Sequence, residues 1–506
     1  MVLGLDGFEG RWDECKGRRI RGMMAEHNIA AWSGAIARTP FELYIHVPFC
    51  LRRCGYCDFN TYTAVDMGEG ASRGNYVNLA IQEMKLVRLW QEVHGIVEPA
   101  LSTIFLGGGT PTVLQADELN RLIRAADEIW GISPGAEITT EANPDTVDAA
   151  YLERLAQGGF NRVSFGMQSA VPDVLATLDR THTPANVAAG VEAARSLGLE
   201  CSVDLIYGTP GESLDDWRRS VETALDLGVD HISAYGLALE PTTKMGRRVA
   251  EGRLPSPDDD DEAAKYELAD DLFRQAGLHW YEISNWARLG HESRHNLGYW
   301  RNVDWAGIGP GAHSHYAVTA LGAIGDPGGC VRSGQAGEED GYGVTKNVNR
   351  AQQPESEEGN GWRRTGNSTG GPELSIASLE HSVSDNAWMR TPVRSWDISH
   401  PRQWAHALNE GRVPWAGGEC IGPDERVEEL VMLGLRLHEG LSISGLERSI
   451  GAAIGYGSMD GIIRDGLACL EGDRLIPTRR GRLLNDDLIA RVLDVTDQAR
   501  KSKAGK

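Results

Sequence analysis

The sequence YIHVPFCLRRCGYC, residues 44–57, decides how the chain is interpreted. It begins within a β-branched and aromatic run, residues 43–47, which predicts a buried strand. Directly after this strand come Cys50, Cys54 and Cys57 in a C-x3-C-x2-C pattern. Thiolates on one short loop can converge on a single iron–sulfur cube, and three ligands for four irons leave one iron open to a small ligand.

A zinc site made of the three cysteines and His46 is the alternative. His46 lies back on the predicted strand, and zinc sites usually take cysteines in C-x2-C pairs. The chain has 8 cysteines in 506 residues, which is not a disulfide framework for a chain of this length. The cysteine loop therefore favours an iron–sulfur cluster over zinc.

Outward from this loop, short β-branched runs alternate with amphipathic helical stretches from residue 43 to residue 285. The pattern predicts helices over residues 148–157, 184–197 and 214–227. Repeated strand–helix–strand units predict parallel strands with right-handed crossovers. Five or six such units predict an α/β fold, a partial (β/α)6 barrel, with its site at the carboxyl ends of the strands.

The glycine run GGGTP, residues 107–111, follows the second predicted strand. Residues without side chains let a ligand approach the backbone, whose N–H and C=O groups can hold a polar head. Alone, such a run is often only a tight turn. Because it opens on the same end of the predicted barrel as the cysteine loop, we expect it to belong to the same site.

The composition of the chain disfavours several classes of function. The chain carries 72 acidic and 50 basic side chains, a formal charge of −22, which disfavours general binding of nucleic acid. No apolar run approaches the length of about 18 residues that a membrane span needs. The first 21 residues carry charges throughout and lack the apolar stretch of a signal peptide. We therefore expect a cytoplasmic protein.

The predicted organisation has four parts. Residues 1–38 form an N-terminal extension, and residues 39–318 form the core that carries the cysteine loop. Residues 319–395 form a glycine- and polar-rich insertion, predicted to be disordered because it holds few apolar residues. In residues 396–500, helices predicted at 427–438, 443–450, 459–470 and 485–493 surround a short hairpin at 474–478. This pattern indicates a small winged-helix-like α+β domain.

The cysteine pattern with GGGTP resembles the radical S-adenosylmethionine (SAM) superfamily. The phrase YIHVPFC narrows the resemblance to the group of oxygen-independent coproporphyrinogen III oxidases and the heme chaperones related to them. The resemblance covers residues 43–313 and resumes near the C-terminus, but it fails over the insertion. It implies that Cys50, Cys54 and Cys57 ligate a [4Fe-4S] cluster, with the SAM methionine group on the open iron.

The resemblance also implies residues that contact SAM. They are Tyr44, Tyr56, Gly108, Gly109, Thr110, Glu141, Gln168, Arg180, Asp204 and Ala238. Each has a simpler alternative, since Glu141 and Asp204 could be solvated strand ends and Arg180 a surface residue with a partner. Most of them fall at or just past predicted strand ends, which favours the site.

Two features separate the chaperones from the oxidases within this resemblance. The oxidase has a further cysteine two residues after the third, where this chain has Phe59. The segment HNLGYW, residues 295–300, fits an HNxxYW signature associated with the chaperones. The resemblance implies heme contact for His295, Asn296, Tyr299 and Trp300, because an imidazole and flat apolar walls suit a porphyrin. The alternative is a core histidine with packed aromatic neighbours.

The favoured hypothesis is a heme chaperone that binds heme and transfers it to an acceptor apoprotein, with no catalytic residues of its own. An oxygen-independent coproporphyrinogen III oxidase is the alternative. A nucleic-acid-binding regulator that uses the winged helix is a third hypothesis, which the acidic balance disfavours. The expected partners are heme and a heme-accepting apoprotein, with a homodimer left open. Nucleic acid is not expected as a partner. Contact with a membrane is expected only transiently, through a membrane-bound acceptor.

Overall fold

The computed structural model describes residues 39–319 and 391–504. The predicted extension 1–38 and most of the predicted insertion therefore lie outside the described residues. The larger part is built on a twelve-stranded sheet. Its centre consists of six strands that pair in sequence order and run parallel: β1 (Phe41–Val47), β2 (Leu101–Gly108), β3 (Ile132–Ala142), β4 (Arg162–Gln168), β5 (Glu200–Tyr207) and β6 (His231–Gly236).

Helices connect these strands and cover the outer face of the sheet. They are α1 (Tyr76–Val93), α2 (Ala116–Trp130), α3 (Ala149–Gln157), α4 (Pro172–Thr177), α5 (Pro184–Ser196) and α6 (Leu214–Asp226). Local sequence explains where they begin, because Asp148, Thr183 and Ser213 each accept a backbone N–H at the helix start. The predicted strands and the three predicted helices of the barrel are confirmed.

The strands alternate between two environments. In β1, Phe41, Leu43 and Ile45 belong to the apolar core under the helices. The intervening Glu42 and Tyr44 are on the opposite side of the strand, since successive side chains point to opposite faces. Polar and aromatic side chains thus fill the inside of the barrel, where they can form a site.

Beyond β6 the chain adds further helices, and further strands on both edges of the sheet. In chain order they are α7 (Lys244–Ala250), α8 (Asp259–Gln275), β7 (His279–Glu282), β8 (Asn285–Ala287), α9 (Arg294–Trp300), β9 (Asp304–Ile308), β10 (His313–Thr319), β11 (Thr391–Asp397), α10 (Pro401–Asn409) and β12 (Trp415–Cys420). Strand β9 pairs parallel to β1, and β10, β11 and β12 follow it outward. The barrel is therefore partial, as predicted.

The predicted boundary at residue 396 falls inside β11. This strand pairs with β10 across the insertion, and the sheet continues to Cys420. Residues 391–395, predicted as part of a disordered insertion, are thus a strand of the main sheet. The sequence pattern missed this pairing because the long polar stretch separates the two partners in the chain.

The C-terminal part forms a second, smaller core. Its elements are α11 (Pro423–Gly434), β13 (Leu441–Ser442), α12 (Ile443–Ile450), α13 (Asp460–Arg464), β14 (Ala468–Glu471), β15 (Arg474–Pro477), α14 (Arg479–Leu483) and α15 (Asn485–Ala504). The three strands form a small sheet among the helices, the predicted winged-helix-like arrangement. One predicted helix, 459–470, is wrong. It ends at Arg464 because Gly466 adopts φ +71° and the chain then enters β14.

A buried ion pair attaches the small core to the barrel. Arg482 donates to both carboxylate oxygens of Asp270 at 3.1 Å, and Arg479 Nε donates to Asp270 at 2.7 Å. Although burial alone would raise it, Arg482 and Arg479 lower the pKa of Asp270 to about 2. Two arginines of the C-terminal part are therefore engaged within the protein. None of the described helices is long and apolar enough to cross a membrane.

Candidate functional site

A cavity of about 520 Å³ opens at the carboxyl ends of the parallel strands. It extends inward along the barrel axis to residues nearer the strand starts. Nine of the ten residues predicted to contact SAM line it, namely Tyr56, Gly108, Gly109, Thr110, Glu141, Gln168, Arg180, Asp204 and Ala238. The three cysteines and Phe59 line its rim. The fold thus brings the predicted residues into one space.

The cysteine loop is held by hydrogen bonds to the segment that follows it. The Cys50 N–H donates to the Tyr62 carbonyl at 3.0 Å, and the Tyr62 N–H donates to the Pro48 carbonyl at 2.7 Å. Asn60 Nδ2 donates to the Ser399 carbonyl at 2.8 Å, which ties the loop to the chain after β11. The loop is therefore shaped by the protein itself.

Each thiol of the loop has a polar side chain beside its sulfur. The contacts are Thr110 Oγ1 to Cys50 Sγ at 3.6 Å, Arg180 Nη1 to Cys54 Sγ at 3.6 Å and Thr61 Oγ1 to Cys57 Sγ at 3.9 Å. Burial raises the pKa of Cys50 to about 11 and also raises the pKa of Cys57. Deprotonation of these thiols therefore needs the compensating charge of a bound metal, which couples their ionisation to metal binding.

The geometry disfavours the zinc alternative. His46 has partners for both ring nitrogens, with Nδ1 3.0 Å from the Tyr44 hydroxyl and Nε2 2.9 Å from the Asn60 carbonyl. Within residues 39–319 and 391–504, no three His, Cys, Asp or Glu side chains are grouped closely enough to hold one metal ion. A four-iron cluster takes each cysteine on a different iron, so the three spaced thiols fit a cluster better than a single zinc ion.

The glycine run packs directly against the strand that precedes the cysteines. A Cβ on Gly109 would lie 2.6 Å from the Phe49 carbonyl oxygen and 2.8 Å from that of Val47. Gly108 adopts φ +105°, and a Cβ there would lie 2.5 Å from the His46 ring. Only glycine fits at both positions, because a side chain would collide with His46 or with the chain that leads to the cysteines. The N–H groups of Gly108 and Gly109 are bonded to Glu141 and Val47, so the run can offer a polar ligand head only its carbonyl groups.

Two carboxyl groups stand together in the cavity wall. Glu141 Oε2 accepts the Gly108 N–H at 3.2 Å, and the Ser164 hydroxyl donates to Asp204 at 3.0 Å. Burial, and next the charge of Asp204, raises the pKa of Glu141 to about 8. Burial also raises the pKa of Asp204. Both groups are half-buried inside the cavity, so they are not solvated strand ends, and they can accept hydrogen bonds from ligand hydroxyls.

Gln168 and Arg180 complete the wall. Gln168 adopts φ +63°, which costs a non-glycine residue about 1 kcal/mol. Among the described residues its buried Oε1 has no hydrogen-bond partner. Arg180 Nη2 donates to the Gly166 carbonyl at 2.8 Å and to Asn143 Oδ1 at 3.3 Å. A strained glutamine with an unpartnered amide oxygen fits a cavity that receives a polar ligand.

Tyr44 is the predicted contact that does not line the cavity. Its ring lies 6.3 Å from the ring of Phe105, which does line it. Its hydroxyl is engaged by His46, and burial raises its pKa. Tyr44 therefore supports the wall from behind.

The predicted heme residues lie at the opposite end of the strands, on α9. His295 is 1% exposed, its Nδ1 is 2.7 Å from the Thr103 hydroxyl, and its Nε2 is 3.0 Å from the Tyr299 hydroxyl. Its ring stacks on Phe105 with centroids 5.1 Å apart. Burial lowers the pKa of His295 to about 3. Because both ring nitrogens have protein partners, these contacts favour the packing alternative over an iron ligand.

The rest of α9 closes the amino-terminal end of the barrel. The Arg294 N–H donates to Glu137 at 2.9 Å, and a Cβ on Gly298 would lie 2.1 Å from the Glu42 carboxyl group. The side chains of Asn296 and Trp300 hydrogen-bond to Glu282. Of the four residues predicted for heme, Asn296 alone borders the cavity. The helix therefore acts as a plug beneath the cavity.

The polar floor of the cavity, at its inner end, was not predicted from the sequence. Thr139, Arg162 and His231 line it, and each keeps a buried polar atom that lacks a partner within the described residues. The sequence spacing indicates part of this floor. Thr139 lies two residues before Glu141, and Arg162 lies two residues before Ser164. In a strand such pairs share a face. Counting back by two from Glu141 would have found Thr139, whereas no predicted site residue lies two positions after Arg162 or His231.

Comparisons with known proteins identify the superfamily and the fold. The family model for the radical SAM superfamily matches residues 44–224, and that for the HemN C-terminal domain matches residues 421–484. The solved structure of coproporphyrinogen III oxidase (HemN) from Escherichia coli, a radical SAM enzyme, superposes with a TM-score of 0.64. It covers 93% of both chains at 19% identity, which supports the shared fold alone. The chain is thus a radical SAM superfamily protein with a HemN-type C-terminal domain.

The particular family follows from two relatives. The heme chaperone HemW of Mycobacterium tuberculosis (strain CDC 1551 / Oshkosh) is 37% identical over 455 residues, which are 90% of this chain and 95% of that protein. The heme chaperone HemW of Bacillus subtilis (strain 168) is 39% identical over 278 residues, 54% of this chain and 71% of the relative. The chain belongs to the HemW family. Membership in the radical SAM superfamily implies a [4Fe-4S] cluster and SAM.

Proposed function

We propose that this protein binds heme and transfers it to an acceptor apoprotein, and that it carries a SAM-binding [4Fe-4S] cluster on the cysteine loop. The observation that carries the proposal is the similarity to a protein named heme chaperone over 95% of that protein's length. The acceptor, and a homodimer as the working form, belong to the same proposal.

Cys50, Cys54 and Cys57 would hold the cluster, and the bare backbone at Gly108 and Gly109 would receive the polar end of SAM. When bound, the cluster and SAM supply one-electron chemistry. The chain's own part is to exclude water and to orient the ligand. Glu141 and Asp204 would accept hydrogen bonds from its hydroxyls, and Gln168 offers an unpartnered amide oxygen.

Oxidation of coproporphyrinogen III is the alternative, since the cavity keeps the polar residues that SAM binding needs. Phe59 supports the chaperone. Its side chain is 62% exposed at the cavity rim, at the position where the resemblance expects a cysteine in the oxidase. A phenyl ring there offers apolar contact to a porphyrin but no thiol. We therefore propose a non-enzymatic role.

The test is anaerobic reconstitution of the full chain with iron and sulfide, followed by titration with heme. In parallel, the reconstituted protein is given coproporphyrinogen III, SAM and a reductant. We expect stoichiometric heme binding with a Soret band and no consumption of coproporphyrinogen. Consumption with release of 5′-deoxyadenosine, and without heme binding, would make the chain an oxidase.

A further inference from the structure

Strands β9, β10 and β11, which extend the sheet beyond β1, carry imidazole and indole rings on one face. His313 of β10 pairs in register with Trp396 of β11, and their ring centroids lie 6.2 Å apart. Two residues along β10, His315 pairs with Trp305 of β9, and those rings stack at 4.8 Å. Residues two apart in a strand share a face, so these four rings lie on one face of the sheet, the His313 face.

The opposite face of the same strands is buried. Tyr316, which follows His315 in β10, is 1% exposed and packs on Trp90 of α1 with centroids 5.4 Å apart. The helical layer thus covers that side. The His313 face is turned away from α1, and Trp305 and Trp396 remain partly exposed on it.

His313 differs from the other histidines near the site in having an available imidazole. Its side chain is exposed, and within the described residues its ring makes no hydrogen bond or ion pair. His295 and His46 have both ring nitrogens engaged. His315 is buried, and its Nδ1 lies 3.0 Å from the Val303 carbonyl. Of these four histidines, His313 is therefore the one with an exposed imidazole beside partly exposed indole rings.

The protonation of His313 suits metal ligation. His313 is exposed, but the protein still excludes part of the water around its ring, and this, followed by the charge of Arg394, lowers the pKa of His313. The imidazole is therefore neutral near pH 7 and keeps a lone pair for a metal. Arg394 is itself held by Glu419, with Nε donating to the carboxylate at 2.8 Å.

The face also borders the cysteine loop. Asn60 Nδ2 donates to the Pro310 carbonyl at 2.8 Å, three residues before His313. The same nitrogen donates to Ser399, shortly after Trp396. One side chain of the loop thus holds both chain segments that lead to the face, so changes in the loop on cluster assembly can reach it.

We propose that heme binds on the His313 face, with the His313 imidazole as an axial ligand of the iron and Trp396 and Trp305 as apolar contacts for the porphyrin. The inference rests on the proposed heme-binding function and deepens it by naming the site. A neutral histidine is a common heme ligand, and aromatic rings supply large apolar contact area. An open face rather than a closed pocket suits a carrier that must release its cargo.

The test titrates heme into the full-length reconstituted protein and follows the Soret band and the spin state. His313→Ala is compared with His406→Ala, which removes another exposed histidine, one that pairs with Glu410 at the surface. We expect His313→Ala to weaken heme binding about tenfold or more and to change the spin state, since an iron–ligand bond is lost. Added imidazole should restore the native spectrum. Trp396→Leu should weaken binding while keeping the native ligand spectrum.

The outcomes separate the two proposals. If the native protein binds heme and His313→Ala binds it with the same affinity and spectrum, the site assignment is wrong and the proposed function stands. If the reconstituted native protein binds no heme, the proposed function fails and the site fails with it. Cluster absorbance and thermal unfolding report whether the variants are folded. His313→Gln, which keeps a polar side chain, replaces His313→Ala if that variant does not fold.

Discussion

The cysteine loop, residues 50–62, and the helix α9, residues 294–300, both carry sequence motifs associated with ligands, and the fold uses them differently. The loop directs its thiols to a cavity rim, where each sulfur has a polar side chain at 3.6 Å or more. In α9, the His295 ring makes two short hydrogen bonds and stacks on Phe105. A motif therefore locates an important segment, but the partners of its side chains decide whether it binds a ligand or supports the fold.

The largest expected effect is on the loop. Cys54→Ala removes one of three ligands to the cluster, and we expect it to abolish the broad cluster absorbance after reconstitution. The control is Cys201→Ala, which truncates a buried cysteine of β5. It should cost about 1 kcal/mol of unfolding free energy and leave the cluster intact. Iron and sulfide contents equal to the native protein in Cys54→Ala would show that the loop is not the cluster site.

Next is the stability contributed by α9. His295→Ala removes a buried ring and leaves the Thr103 and Tyr299 hydroxyls without their partner. We expect it to lower the unfolding free energy by about 3 kcal/mol in urea denaturation. Tyr299→Phe, which removes only the hydroxyl, should cost about 1 kcal/mol. A His295→Ala variant as stable as the native protein would contradict the structural role.

Glu141, in the cavity wall next to the glycine run, and His295 of α9 should respond to pH with opposite signs. The folded-state pKa of Glu141, about 8, lies above its ordinary 4.5, so its contribution to stability is present below pH 4.5 and is lost as pH rises through 8. The folded-state pKa of His295, about 3, lies below its ordinary 6.5. Its contribution is present above pH 6.5 and is lost as pH falls toward 3. Each slope is on the order of 1 kcal/mol per pH unit.

Urea unfolding of three proteins checks these signs between about pH 5 and 8. Relative to the native protein, Glu141→Gln should gain stability as pH rises, because it has no carboxyl group to ionise. The destabilisation by His295→Ala should shrink as pH falls, because the native protein then loses the contribution of the neutral buried imidazole. Parallel pH curves for all three would mean that neither group titrates as the structure requires.

The smallest effect is expected at the outer edge of the loop. Phe59→Ala should change the unfolding free energy by less than about 0.5 kcal/mol, because the ring is largely exposed. Phe49→Ala, on the strand side of the same loop, should cost about 3 kcal/mol, since Phe49 is buried and packs edge-on against Tyr76 at 5.8 Å. Equal costs for the two variants would show that the loop is not oriented as described.

The sequence was sufficient to predict the parallel strands and the residues at their carboxyl ends. Glu141 and Asp204 could be placed because strand periodicity and a family pattern both point to the carboxyl ends of the strands. The pairing of β10 with β11 could not be predicted, since it depends on tertiary contact across a long polar stretch. The orientation of α9 was also hidden. Whether His295 meets Thr103 or a ligand depends on how the helix packs, and local sequence does not encode that packing.

The most direct test of the contrast between the loop and the helix is a heme titration of the His295→Ala protein. The titration is run at a temperature at which thermal unfolding shows this variant to be folded. We predict heme binding with the native stoichiometry and Soret spectrum, because the His295 ring is buried and both of its nitrogens are engaged within the protein. Loss of heme binding by a folded, cluster-containing His295→Ala protein would contradict it, and would assign α9 to the heme site.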